Sequence, residues 1–187
     1  MKALKTILFG AFLLTVSAAT AQGVGIRAGV NLSTISGDYY DSTSKTGFYV
    51  GLFDEIPVVK DVFFIQPEVQ YSSEKFSTNF ADYTIDYITV PVLAKVYVVK
   101  LLSFETGPQF GFKINDKTKF KNGITITSDD NYETFNPAWA FGTTLNLPFG
   151  LGINARFISS FNSIFKDGDY NNEGKSQVFQ LGASLKF

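Results

Sequence analysis

From Ser176 to Phe187, Gln177, Phe179, Leu181, Ala183, Leu185 and Phe187 alternate with Val178, Gln180, Gly182, Ser184 and Lys186. A period of two is that of a β-strand, here with one largely apolar face and one small or polar face. A strand that ends on an aromatic residue with its apolar face uncovered needs a partner strand and an apolar surrounding. The stretch is therefore expected to close a transmembrane β-barrel, with its apolar face toward lipid and its polar face toward a narrow lumen.

The first residues read as something other than barrel. Lys2 and Lys5 precede an apolar run over residues 7–16, and Ala19, Thr20 and Ala21 form a small-residue cleavage motif before Gln22. This is the pattern of a secretory signal peptide, so residues 1–21 are expected to be a leader and residues 22–187 a single domain. No later segment offers the roughly 20 consecutive apolar residues that a membrane-spanning helix needs. Loss of the leader removes two lysines and no acid, leaving 14 basic against 17 acidic residues, too balanced a charge for a nucleic-acid partner. Histidine and cysteine are absent. Imidazole catalysis and His-ligated metal are thereby excluded, stability must come from pairing and packing without disulfides, and neither catalytic residues nor a cofactor are expected. The 20 Phe and 9 Tyr suit the aromatic girdles of a membrane barrel.

The same alternation recurs along the chain. Strands are expected over residues 24–33, 47–56, 63–71, 87–98, 104–114, 138–147, 151–160 and 176–187. Pro67 lies inside the third and predicts a bulge or a distorted ladder. Connections alternate between long and short. Polar segments over 36–46, 72–82, 115–135 and 166–175 follow the odd strands, while 57–61, 99–102 and 148–150 are brief. Residues 123–127 could form a hairpin of their own. The fold class is all-β, an eight-stranded antiparallel up-and-down transmembrane β-barrel with short periplasmic turns and long external loops.

A soluble lipocalin-like barrel would turn the same pattern inside out, and a small diffusion channel is a further alternative. The polar parity favours an inward assignment because glycine fills it, at Gly25, Gly29, Gly51, Gly107, Gly111, Gly142, Gly152 and Gly182. Small residues fit a crowded lumen, whereas a water-facing sheet would carry many Lys and Glu. Its charges, Arg27, Glu68, Lys95, Glu105, Lys113 and Arg156, are candidates for a buried polar network, since a lone ion there would be costly. Asp167, Asp169, Asn171 and Glu173 are spaced like calcium ligands, but Asn172 and Val178 occupy the positions that need Gly and Glu. They read as a solvated acidic loop.

Several segments resemble the PorT-like outer-membrane β-barrel proteins of the Bacteroidota. They include Gly25-Ile26-Arg27-Ala28-Gly29-Val30-Asn31, Gly47-Phe48-Tyr49-Val50-Gly51-Leu52 and Ile65-Gln66-Pro67-Glu68-Val69-Gln70-Tyr71-Ser72. Ile88-Thr89-Val90-Pro91-Val92-Leu93-Ala94-Lys95, Glu105-Thr106-Gly107-Pro108-Gln109 and the final Leu185-Lys186-Phe187 extend the likeness over nearly the whole domain. The resemblance implies an outer-membrane location, a terminal Phe read by the barrel-insertion machinery, and in some relatives support of protein secretion. The expected partners are thus the outer-membrane bilayer, that machinery and a protein at the external loops. Tyr39, Tyr40, Phe76, Phe80, Tyr132 and Tyr170 are expected to supply contact aromatics there.

Overall fold

A computed structural model of the chain describes residues 23–36, 43–77, 81–120, 125–127, 134–163 and 175–187. Alternating residues commit each segment to extended backbone, giving β1 (Gly25–Ser36), β2 (Thr43–Phe53), β3 (Ile56–Val59), β4 (Phe63–Ser77) and β5 (Ala81–Val99). They continue as β6 (Leu102–Phe120), β7 (Thr125–Thr127), β8 (Phe135–Asn146), β9 (Leu151–Ser163) and β10 (Lys175–Lys186). Eight of these form a closed antiparallel wall in the order β2-β1-β10-β9-β8-β6-β5-β4, and β4 pairs with β2 to complete the circle. The final strand meets the first without a register shift, from Gly25 opposite Lys186 to Ser36 opposite Lys175.

The apolar parity faces outward. Ile26, Val30, Phe48, Val50, Leu52, Phe104, Phe141, Ile153 and Leu181 are all exposed, while Arg27, Asn31, Gln66, Glu68, Glu105, Asn154, Arg156 and Gln180 are buried in the interior. The lipocalin-like arrangement would need the opposite. Inward positions are not uniformly polar, however. Leu93, Ala138, Ala140, Ile158 and Val178 form an apolar layer inside the barrel.

Three sequence expectations change. The segment after β2 is not a plain connection, because β3 pairs with β4 through Ile56 and Ile65 and only the turn around Asp61, with φ 63°, joins them. The polar stretch over residues 72–82 is mostly strand, since β4 and β5 stay paired out to Ser77 and Asp82, so this connection is not long. Likewise β6 continues to Phe120, and β7 folds back on it with Thr127 opposite Lys117. Polar alternation in these parts marks strand beyond the hydrocarbon, where the outer face meets water. At Pro67 the ladder is distorted as expected, without a bulge. The proline's pairing with Val92 is followed by a gap and resumes at Gln70 opposite Thr89 in the same register, so the ladder is interrupted but not shifted.

Candidate functional site

The interior charges come from strands that the closure brings face to face. Arg27 on β1, Glu68 on β4, Glu105 on β6 and Arg156 on β9 meet at one level of the lumen. Arg27 Nη1 donates to Glu68 Oε1 at 2.8 Å and lies 3.5 Å from Glu105 Oε1. Arg156 Nη2 donates to Glu68 Oε1 at 2.7 Å and Glu105 Oε1 at 2.5 Å, while its Nη1 reaches Glu68 Oε2 at 3.0 Å. Two cations and two anions leave the cluster neutral, and all four side chains are at most 2% exposed.

Amides complete this quartet. Gln66 Nε2 donates to Glu68 Oε1 at 2.5 Å, and Gln70 Nε2 donates to Glu68 Oε2. Beside it, Tyr49 O–H donates to Asn154 Oδ1 at 2.7 Å. Toward the outer end, Asn31 links Gln180 at 3.1 Å to Ser72 at 2.9 Å. The next inward residue after Arg156 along β9 is Ile158, a member of the apolar layer. Toward the outer ends of β4 and β5, Phe76 packs with Ile85 and Tyr87 and stacks on Tyr83 at 5.1 Å. Phe76 is therefore an interior side chain and not a contact aromatic. The other five aromatics singled out for external contact lie outside the described residues, as do the acidic positions over 167–173.

The six charges named from the sequence divide into three places. Four make the quartet. Lys113, eight residues beyond Glu105 on β6, lies at another level and pairs with Asp116 at 3.0 Å; a register shift between Asp86 and Tyr87 turns the even residues of β6 inward past this point and so brings Asp116 to the same side. Lys95 points toward the end that carries the short turns, where its Nζ donates to Glu55 Oε1 at 2.6 Å.

Glu55 is the residue that sequence reasoning missed. Lys186 Nζ donates to its Oε2 at 2.9 Å and Tyr97 O–H to the same oxygen at 2.8 Å. Glu55 lies between β2 and β3, so it belongs to the rim of the barrel. Burial works against its charge, but Lys95 and Lys186 outweigh this and hold its carboxyl below the usual range. A signal was present, since inward positions 51 and 53 lead to 55 by one further step. Lys186 follows from Gln180, Gly182 and Ser184 in the same way. Among the described residues no group of three or more acids could hold a metal ion.

Residues 20–166 match the family described as outer membrane protein beta-barrel domain. Among solved structures, Neisserial surface protein A aligns at a TM-score of 0.60 and 10% identity, over 88% of this chain and 97% of that one. Ail, the attachment invasion locus protein of Yersinia pestis, aligns at 0.54 and 16% identity, over 89% of this chain and 99% of that one. Both likenesses are of fold. No curated protein matches the sequence.

Proposed function

Because this chain belongs to the outer membrane protein beta-barrel domain family, we propose that it is a non-enzymatic outer-membrane barrel with a plugged lumen that works through its external loops. The observation that carries this reading is the double closure of the interior, by the quartet of Arg27, Glu68, Glu105 and Arg156 and by the apolar layer beside it. An interior filled this way leaves no aqueous path, and an eight-stranded wall is just wide enough for side chains to fill it. A porin-like role is disfavoured on that ground, so interaction falls to the loops, where function usually resides.

The finer reading follows the PorT-like resemblance. The chain is exported by the general secretory route, loses residues 1–21, is recognised through β10 by the insertion machinery and contacts an envelope protein, in support of protein secretion. Two measurements test this. The mature protein in the outer-membrane fraction should begin at Gln22, and removal of residues 121–133 should leave heat-modifiable migration intact while abolishing capture of an envelope partner. Capture unchanged by that deletion would move the interaction elsewhere.

A further inference from the structure

The end that carries the short turns holds a cavity of about 410 Å³, a size suited to a small molecule. It lies at the opposite end from the external loops, so a ligand held there would serve a role separate from theirs. Lys95, Lys100 and Lys186 line it with a single carboxylate, Glu55, leaving an excess of two positive charges. The whole chain has a net charge of −1, so this excess is not a by-product of a basic composition.

The ammonium groups are held in place. Glu55 receives Lys95 at 2.6 Å and Lys186 at 2.9 Å, which fixes two cations on one carboxylate. Tyr97 adds its O–H to Glu55, and its ring lies 5.3 Å from Lys95 Nζ and 5.8 Å from Lys186 Nζ. Each ammonium has three donors, and Glu55 takes one from each. Lys95 is 3% exposed and Lys186 36%, so one cation forms the floor and the other the open side. A structural latch would need only one lysine for Glu55. The rest of the lining is mixed, with Asn146 and Ser184 beside Phe53, Leu101, Leu147 and Leu151.

We propose that this mouth cavity binds a small organic dianion, two carboxylate or phosphate groups on a short apolar spine, with Lys95, Lys100 and Lys186 as its cationic partners. Charge-assisted hydrogen bonds from the lysines would take the anionic groups, and the leucines would take the spine. In the family's orientation the short turns are periplasmic, so the ligand would be met on that side.

The test uses the full chain purified in nonionic detergent, with adipate as probe, 1,6-hexanediol as the neutral match and sodium chloride at equal ionic strength. Calorimetry should give one saturable site for adipate and none for the diol or chloride. Amide resonances of Tyr97 and Lys186 should move with the same midpoint. Affinity should fall at least tenfold in Lys100→Gln/Lys186→Gln and measurably in Lys100→Gln alone, a change at an exposed turn that leaves the fold in place. Lys45→Gln/Lys119→Gln, toward the other end, should bind like wild type. No saturable signal, an equal response to chloride, or binding indifferent to Lys100 and Lys186 would overturn the proposal.

Discussion

At the residue scale the interior is decided by pairing. Glu68 and Glu105 share two arginines, so removing one cation strands negative charge where water does not reach. Arg156→Leu should therefore cost about 3 to 5 kcal/mol of unfolding free energy, whereas Glu105→Gln/Arg156→Met, which leaves Arg27 with Glu68, should recover most of that loss. Urea unfolding in micelles, followed by Trp139 fluorescence, measures both, and a double variant as unstable as the single one would refute the pairing argument. Glycine carries a second constraint. A Cβ at Gly182 would meet the Ala28 carbonyl as well as the Tyr49 hydroxyl. Gly182→Ala should destabilise by about 1 to 3 kcal/mol. Tyr49→Phe should not rescue it, because the Ala28 contact is backbone and remains.

At the element scale each strand has two faces under opposite demands. Leu181 and Val92 are 42% and 39% exposed on the lipid face. Arg at either position should cost about 2 to 4 kcal/mol near the bilayer midplane, measured by folding into phospholipid vesicles across a denaturant series. The rim between β2 and β3 behaves differently. Glu55 has its carboxyl held low by Lys95 and Lys186 against the cost of burial. A lowered folded pKa gives stability that is complete above the unfolded value and is lost as pH falls through the folded one. Wild type should thus lose stability below about pH 4.3, and Glu55→Gln should show a shallower acid dependence; equal slopes would mean the latch contributes nothing. Parity, and hence the face of every strand, could be read from the residues. Strand ends could not, because beyond the bilayer the outer face of β4, β5 and β6 becomes polar while Phe76 and Ile85 turn inward, so the apolar-out alternation that marks a strand fades. At 19 residues, β5 exceeds the roughly 11 needed to span, and the excess is about 26 Å of extended chain.

At the scale of the whole molecule, closure turns eight local patterns into one interior, and this is where sequence reading runs out. Alternation tells which charges point inward, but the tilt and stagger of the strands decide which of them share a level. Arg27 and Glu105, 78 residues apart, meet across the lumen, while Lys95 is the cross-strand neighbour of Glu105 and turns instead to Glu55. The apolar layer was hidden for the same reason. Val178 is a single apolar residue on an otherwise polar face and Leu93 stands between Pro91 and Lys95 on the inward face of β5, and only closure sets them beside Ala138, Ala140 and Ile158. The consequence is two barriers of different chemistry, one of matched ions and one that excludes water. Each should block ions alone, since a narrow apolar constriction gates by dewetting. Wild type in planar bilayers should show no conductance above background, and neither should Glu105→Gln/Arg156→Met, because the apolar layer survives. Adding Leu93→Ser and Ile158→Ser to that variant should wet the remaining layer and yield discrete steps. Steps from wild type would mean that the interior is an open path, and steps from the quartet variant alone would mean that the ions, and not the apolar layer, are what seals it.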